Sequence, residues 1–302
     1  MNQRAGGPLD TLGPSTPGRY DDGLVEVVRG GDHDASDVVT VARTRHFCLH
    51  RNGDRLRIGH RIPPEQLDND LAGLLRHELF APGWLSSSVD IFERVFTGVV
   101  KTTVDDPGRA WSLFYDNTLE HIRRLWTAEP GPRCSAIAEI VPVYRRSLEL
   151  VPPGRVLDVG SCFGFLAMLL AARAGTEVIA ADIDQGSIDL LRRMARQRRT
   201  PVGTLVCDAA RIPLPDGAVD TVLAVHLLEH LEPVHGAAVL AEALRLARER
   251  VVIAVPFEPE PTAAYGHVRT FDLPALEELG RGAGAHFRVE EHHGGWLVID
   301  RR

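Results

Sequence analysis

The chain has 302 residues, 44% of them hydrophobic, and a formal net charge of -7. This length and apolar content can support one large domain and an accessory region. The negative charge argues against nucleic acid and acidic lipid as partners, because both select for a basic face. The first residues lack the apolar core of a signal peptide, and no stretch approaches the ~20 apolar residues of a membrane span, so we expect a cytoplasmic protein.

The four cysteines, Cys48, Cys134, Cys162 and Cys207, are scattered and form no C-x-x-C pair. This pattern predicts buried thiols rather than a disulfide framework or a cysteine zinc site. Lys101 is the only lysine, and no tyrosine precedes it at the Tyr-x-x-x-Lys spacing that short-chain dehydrogenases need. Most lysine chemistry is therefore excluded.

The first half of the chain predicts a tail and a small α+β region. Residues 1–22 are rich in Gly, Pro and polar residues, which favours a disordered tail. Four short β-like runs follow over about 23–61, and the Asn52-Gly53 pair between the last two is a hairpin signal. From Pro63 the hydrophobic period becomes helical and predicts about four helices. Residues 23–150 are thus the predicted accessory region, which could cover an acceptor.

The second half predicts an α/β domain over residues 151–302. Pro152-Pro153-Gly154 marks its start. Five strand-like runs, separated mostly by helical stretches, predict right-handed crossovers and a doubly wound, mostly parallel sheet. Two more strand-like runs flank Gly294-Gly295, so a tight hairpin would put an antiparallel strand at the sheet edge and make seven strands.

The turn after the first of these strands indicates the charge of the ligand. The dinucleotide fingerprint G-x-G-x-x-G needs three glycines, whereas this turn has only Gly160 and Gly164. Asp158 stands two residues before Gly160, where a carboxylate repels a pyrophosphate and attracts a cation. Asp182 ends the second strand, where an acid takes ribose hydroxyls, and Asp208 ends the third. Asp182 alone would also fit NAD.

Together these motifs resemble class I S-adenosylmethionine-dependent methyltransferases over about residues 150–302. "LDVGSCFG" is similar to the D-x-G-x-G-x-G loop of that family, although Cys162 stands at its middle glycine. "VIAADID" resembles the ribose-binding strand end, and "CDAARIPLPDGAVD" resembles the adenine-contacting segment. The resemblance implies a Rossmann-like fold and S-adenosylmethionine as methyl donor.

The resemblance also implies roles for single residues. Asp158 would lie near the cationic methionine part of the cofactor, Asp182 would take the ribose hydroxyls, and Asp208 with Ala209 would flank the adenine. The cofactor-binding residues that follow from the resemblance are Asp158, Gly160, Ser161, Cys162, Gly164, Asp182, Ile183, Asp208, Ala209 and Val225.

His226, Glu229 and His230 form a second group, in "VLAVHLLEHL", which resembles the fourth strand and acceptor-facing loop of the family. We expect a helix here, with His226 and His230 on one face at i and i+4. H-x-x-E-H is also the inverted zincin pattern, but its place after the fourth strand argues against a metallohydrolase. Methyltransferases resembling the ubiquinone-pathway O-methyltransferases bind a divalent ion through E-x-x-E-H. Here His226 replaces the first glutamate and imidazole suits magnesium poorly, so no metal is predicted.

Two interpretations of this second group are open. Either a histidine is the general base of the reaction, or the three residues only cap and pack a helix.

His267 and Arg269 lie in "YGHVRTF", which resembles the H-x-R-x-F segment of many family members. We expect them on a loop over the acceptor; alternatively, Arg269 pairs with an acid and anchors that loop. Trp111, Tyr115 and Trp126 recur at helical spacing, which is more typical of a core than of a ligand site.

The sequence therefore predicts an O-methyltransferase in which His230 or His226 takes the proton of an acceptor hydroxyl. Neither an Asp/Asn-Pro-Pro-aromatic motif after the fourth strand nor a Pro-Cys dipeptide is present, which favours a small molecule or glycan over nucleic-acid bases. "IFERVFTGVV" and "WSLFYDNTLEHIRRLW" resemble the actinobacterial mycofactocin-oligosaccharide methyltransferases, which implies a glucose hydroxyl as acceptor. The alternatives are a quinone or lipid methyltransferase, an NAD-dependent oxidoreductase and an inactive cofactor-binding protein. Nothing in the pattern indicates an oligomeric state.

Overall fold

In the computed structural model of the protein, the chain divides into two compact units. The first comprises Met1–Val141 and Ala263–Tyr265, and the second comprises Pro142–Thr262 and Gly266–Arg302. The division thus falls within a helix, nine residues before the predicted boundary at 150. The structure describes residues 10–13, 15–30, 39–52, 55–86, 88–127 and 135–301, so Cys134 and most of the predicted tail lie outside the described residues.

The first unit is built on a five-stranded mixed sheet. Its strands are β1 (Arg19–Asp21), β2 (Val25–Arg29), β3 (Val39–Arg43), β4 (Phe47–Asn52) and β5 (Arg55–His60). They lie in the order β1-β2-β5-β4-β3, and only β2 and β5 pair in parallel. β4 and β5 pair as the predicted hairpin, and Gly53 lies outside the described residues. β1 occupies residues that the composition assigned to the tail.

Helices complete the first unit. They are α1 (Asp70–Leu75), which continues into a π-helical turn (Arg76–Phe80), α2 (Val89–Thr103) and α3 (Pro107–Leu125). In α3, Trp111 and Tyr115 are fully buried, and Trp111 packs edge-on against Phe114 with ring centroids 5.4 Å apart. These two aromatic side chains therefore belong to the core of the unit, as the spacing favours.

The second unit contains the predicted seven-stranded sheet. Its strands are β6 (Gly154–Val159), β7 (Thr176–Asp182), β8 (Val202–Val206), β9 (Val219–Val225), β10 (Ala247–Val255), β11 (His286–Glu291) and β12 (Gly295–Asp300). Their order is β11-β12-β10-β9-β6-β7-β8, and β10, β9, β6, β7 and β8 are mutually parallel. The doubly wound α/β class is thus confirmed.

The antiparallel strand lies one place inside the sheet rather than at its edge. β12 pairs antiparallel with β10 on one side and with β11 on the other, so β11 is the edge strand. The edge prediction was wrong because a hairpin pattern does not show which of its two strands docks on the sheet.

Helices flank the strands of the second unit. They are α4 (Ala136–Leu150), at the division between the units, α5 (Phe165–Ala171), α6 (Gln185–Gln197), α7 (Pro233–Leu246) and α8 (Leu273–Gly282). Asp184 and Asp272 cap α6 and α8 by accepting hydrogen bonds from the backbone N–H of Ser187 and Ala275. Central strands are almost completely buried, because parallel sheets are covered on both faces. Among the described helices, none combines the length and the apolarity needed to cross a bilayer.

Candidate functional site

The carboxyl ends of four parallel strands place the predicted cofactor residues along one edge of the sheet. Because β9, β6, β7 and β8 are neighbours in that order, their carboxyl ends lie side by side. Asp158 lies near the end of β6, Asp182 ends β7, Asp208 follows β8 by two residues, and His226 follows β9 directly. This is the edge at which open α/β sheets bind their ligands.

The loop between β6 and α5 alternates left-handed residues. Gly160, Cys162 and Gly164 have φ values of 73°, 48° and 71°. A Cβ at Gly160 would lie 2.9 Å from Cδ1 of Leu227, and a Cβ at Gly164 would lie 2.4 Å from the Leu191 side chain. Glycine is therefore required at both ends of this loop for space as well as for conformation.

Cys162 adopts the left-handed conformation that a glycine would take at the middle of the loop. Its thiol is exposed, which contradicts the prediction of buried cysteines for this residue; Cys48 is buried and Cys207 is partly buried. The reason is the left-handed backbone at the tip of the loop, which holds the residue away from the core. Cys162, which stands at the middle glycine of the family loop, thus keeps the left-handed backbone of this loop.

Asp182 ties this loop to β7. Its Oδ2 accepts a hydrogen bond of 2.8 Å from the Cys162 N–H, and its Oδ1 accepts one of 2.9 Å from the Asp184 N–H. Burial raises the pKa of Asp182, and these two backbone bonds oppose that shift. Each carboxylate oxygen retains a second lone pair, so two hydroxyl groups can still donate to Asp182.

The buried carboxyl group of Asp158 is not fully hydrogen-bonded. It is 3% exposed, and its Oδ2 has no hydrogen-bond partner among the described residues. Burial, followed by the charge of Asp182, raises the pKa of Asp158 to about 7. Such a group is costly unless a ligand satisfies it, and a positively charged ligand would do so best.

Tyr144 is a neighbour of Asp158 that sequence reasoning missed. Burial raises the pKa of the Tyr144 phenol, and the charges of Asp158 and Cys162 act on it in the same direction. It comes from the carboxyl-terminal half of α4, and only its place just before β6 could have indicated it.

The remaining predicted cofactor residues lie at or after the carboxyl ends of the same strands. Ile183 is 66% exposed and offers an apolar surface next to Asp182, and the buried Oγ of Ser161 has no partner among the described residues. Asp208 is exposed and closes its own turn, because Oδ1 accepts a 2.8 Å bond from the Ala210 N–H and lies 2.9 Å from His235 Nε2. Ala209 and Val225 are partly buried.

The predicted helix at His226 is wrong. His226 has a φ of 53°, and its N–H donates to the Ala254 carbonyl of β10 at 2.9 Å. A 3-10 turn covers Leu228–His230, and α7 begins only at Pro233. The left-handed backbone at His226 breaks the helix, so His226 and His230 share no helical face. A non-glycine residue in this conformation at a strand end is typical of functional sites.

A loop between β10 and α8 brings His267 to His230. The two rings are edge-to-face with centroids 4.8 Å apart. Burial and the positive charge of His267 lower the pKa of His230, and burial with the charges of His267 and His230 lowers the pKa of His226 to about 4. The structure therefore gathers three imidazoles, and the lowered pKa values of His226 and His230 favour their neutral form.

Glu258 orients His267, and the sequence did not indicate this residue. Glu258 Oε2 lies 2.6 Å from His267 Nδ1, and Glu258 Oε1 accepts a 2.7 Å bond from the Thr262 hydroxyl. The only sequence signal was an acid directly after a buried strand, in "VPFEPEP". The Glu258–His267 pair fixes which ring nitrogen carries the proton.

Glu229 lies below these histidines and is 1% exposed. Burial, aided by the charge of Glu258, raises the pKa of Glu229 to about 8. Its backbone carbonyl accepts a 2.8 Å bond from the Val268 N–H, which joins the 3-10 turn to the His267 loop. The three residues do not cap α7, because that helix begins beyond them at Pro233.

Arg269 anchors the same loop. Burial lowers the pKa of Arg269, and the charges of Glu229 and Glu232 oppose that shift. Its Nε donates to the Leu228 carbonyl at 3.1 Å, and its guanidinium lies 4.4 Å from the centroid of the Phe271 ring. A carbonyl contact and a cation–π contact thus hold Arg269 in place, and its pairing with an acid stays a prediction.

Comparisons with known proteins agree with this geometry. Residues 156–250 match a family model described as a methyltransferase domain. A demethylmenaquinone methyltransferase of Thermus thermophilus is 35% identical over 142 residues, which are 45% of this chain and 64% of that protein. A malonyl-[acyl-carrier protein] O-methyltransferase of Geobacter sulfurreducens is 36% identical over 140 residues, covering 44% of this chain and 49% of that protein. The chain thus spans from half to just under two thirds of these relatives.

A solved structure of a SAM-dependent methyltransferase from Aquifex aeolicus is similar over 60% of this chain and 96% of its own. Its sequence identity is 19% and its TM-score is 0.45.

Proposed function

We propose that the second unit is a class I S-adenosylmethionine-dependent methyltransferase domain and that the protein methylates a hydroxyl of a small molecule or glycan. The observation that carries the proposal is the buried Asp158 carboxylate, whose Oδ2 lacks a partner among the described residues. A cationic cofactor would satisfy this carboxylate, whereas the pyrophosphate of NAD would be repelled by it.

The residues at the sheet edge fit S-adenosylmethionine. Asp158 would face its positively charged methionine part, and Asp182 has lone pairs left for two ribose hydroxyls. Ile183 offers an exposed apolar surface for the adenine ring. The left-handed loop from Gly160 to Gly164 allows close approach of the backbone.

The histidines would act on the acceptor. When bound, S-adenosylmethionine supplies a methyl group on a positively charged sulfur. This chain must then align the acceptor hydroxyl, exclude water and remove the hydroxyl proton. His226, His230 and His267 lie after the carboxyl ends of β9 and β10, and a neutral imidazole can take that proton.

Calorimetric titration tests the cofactor. S-adenosylhomocysteine should bind with one site per chain and NAD should not. Asp182→Ala should weaken that binding at least ~100-fold, because it loses the contacts to two hydroxyls. Glu177→Ala is the matched control, since that carboxylate is 80% exposed at the start of β7, the strand that Asp182 ends. Binding of NAD instead would favour an oxidoreductase, and tight binding without turnover on any acceptor would favour an inactive cofactor-binding protein.

Two classes of acceptor should be assayed first. The resemblance of two first-unit segments to mycofactocin-oligosaccharide methyltransferases supports a glucose hydroxyl. The burial of Trp111 and Tyr115 adds nothing to this support, because these rings offer no face to a sugar. The relative from Thermus thermophilus, named as a demethylmenaquinone methyltransferase, supports a quinone precursor. Mass spectrometry and NMR of the product distinguish them, since the sugar would carry a new O-methyl group and the quinone a new C-methyl group.

A further inference from the structure

Glu229 is a buried carboxylate that has no partner for either oxygen among the described residues. It is 1% exposed, so water does not satisfy these oxygens from the surface. Native structures rarely leave a buried carboxylate in this condition unless it binds a ligand. An oxygen of Glu229, a ring nitrogen of His230 and a ring nitrogen of His267 all lie within 4.8 Å of one another.

The backbone holds these three groups together from two separate segments. The Glu229 carbonyl accepts a 2.8 Å bond from Val268 N–H, next to His267, and the Leu228 carbonyl accepts a bond from the Arg269 side chain. The donor atoms of a tetrahedral zinc site lie roughly 3.3 Å apart, given bonds of about 2.0–2.2 Å. A shift of roughly 1 Å, within reach of side-chain rotation, would therefore bring the three groups to ligand distance.

His267 has the environment of a metal ligand. Its Nδ1 lies 2.6 Å from Glu258 Oε2, and the Thr262 hydroxyl donates to the other oxygen of Glu258. Metal-binding histidines are commonly oriented in this way, with the second ring nitrogen bonded to a carboxylate. Glu258 would then be a positioning residue and would not touch the ion.

We propose that Glu229, His230 and His267 bind a divalent transition-metal ion, of which Zn²⁺ is the best fit. Two imidazoles and one carboxylate are typical of zinc and its neighbours and not of magnesium or calcium. The sequence argument against a metal applied to magnesium, and it did not include His267, which comes from a different loop.

The role of the ion rests on the proposed function. The ion would coordinate the acceptor hydroxyl oxygen and lower the pKa of that hydroxyl. The proton passes to His226, the imidazole that does not bind the ion, the electron pair of the oxygen forms the new bond to the methyl carbon, and the electrons of the broken carbon–sulfur bond return to sulfur.

A second group of acidic and histidine residues lies in the first unit, but it does not support a metal site. Asp68, Asp70 and His121 also lie close enough to hold an ion. Their polar atoms are already used, however: Asp68 Oδ2 lies 2.9 Å from His121 Nδ1, and Asp70 Oδ1 accepts bonds from Ser135 and Ile137. These hydrogen bonds account for the cluster as a structural network.

Titration of the full-length protein, freed of metal by a chelator, tests the site. Zn²⁺ should bind with one ion per chain and Mg²⁺ should not, and Co²⁺ should give the visible absorption of a low-coordinate site. His230→Ala and His267→Ala should each weaken Zn²⁺ binding at least ~100-fold. Glu258→Gln should weaken it by roughly 10- to 100-fold. His286→Ala, which removes an exposed imidazole from β11, is the matched control and should bind like the wild type.

The outcomes separate this inference from the proposed function. Zn²⁺ binding that survives both His230→Ala and His267→Ala would overturn the site and point to surface groups such as His292 and His293, whose rings lie 4.9 Å apart. S-adenosylhomocysteine titrated into the same samples reports folding and cofactor binding. Cofactor binding without Zn²⁺ binding would refute the metal site alone, and the reverse would refute the proposed function alone. If His267→Ala does not fold, His267→Gln replaces it.

Discussion

Asp158 should destabilise the ligand-free protein, and Asp158→Asn should relieve that effect at neutral and alkaline pH. The pKa of Asp158 is about 7 in the folded protein, against an ordinary value of 3.8, chiefly because of burial. The folded state therefore holds a proton that the unfolded state has lost, and stability falls as pH rises from about 4 to 7. A difference of about three pKa units at ~1.4 kcal/mol each gives a penalty of up to about 4 kcal/mol above pH 7.

Urea unfolding followed by tryptophan fluorescence between pH 4 and pH 8 measures this effect. Asp158→Asn should unfold with about the same free energy as the wild type at pH 4 and should become more stable than it by up to ~4 kcal/mol at pH 8. The same variant should bind S-adenosylmethionine roughly 10- to 100-fold more weakly, since it loses a charged contact. Glu177→Gln, at an exposed site at the start of β7, is the control. A free-energy difference that does not change with pH would refute the reasoning.

Three further substitutions test the loop and the histidine segment. Cys162→Gly should raise the free energy of unfolding by ~1 kcal/mol, because glycine adopts the left-handed φ of 48° without cost, and it should not weaken cofactor binding. A loss of stability in thermal denaturation would contradict this. Gly164→Ala should lower the free energy of unfolding by ~2–4 kcal/mol, because the new Cβ would clash with Leu191 and residue 164 has a φ of 71°. Wild-type stability in the same measurement would argue against the left-handed turn. Arg269→Lys should raise the KM for the acceptor several-fold, since lysine cannot stack on Phe271 as guanidinium does; an altered affinity for S-adenosylhomocysteine would argue against an acceptor-side role.

Most of the fold could be predicted because its strands are buried on both faces. Such strands appear in the sequence as apolar runs, and handedness rules then leave few ways to connect them. β12 was misplaced since its pairing with both β10 and β11 depends on which strand of a hairpin docks on the sheet, which no local pattern records. β1 was missed because its three residues are too few to show a period.

The candidate site was only partly predictable. Asp158 and Asp182 could be found since they follow strands at a fixed distance from a glycine turn. The helix expected at His226 could not be corrected from sequence, because hydrophobic periodicity does not reveal a left-handed backbone. Tyr144 and Glu258 act on side chains outside their own helix or strand pattern, so a single sequence gives almost no sign of them.

The second unit keeps two acidic side chains, Asp158 and Glu229, at buried positions where apolar side chains would stabilise it more. Each carboxylate is almost fully buried and has at least one oxygen without a partner among the described residues. Burial raises the pKa of both, so each costs stability in the ligand-free protein at neutral pH. Such costs are retained when the group binds something positive, and the two sites differ in what surrounds them. Asp158 is joined by a glycine turn and a ribose-type acid, which suits an organic cation, whereas Glu229 is joined by two imidazoles, which suits a metal ion.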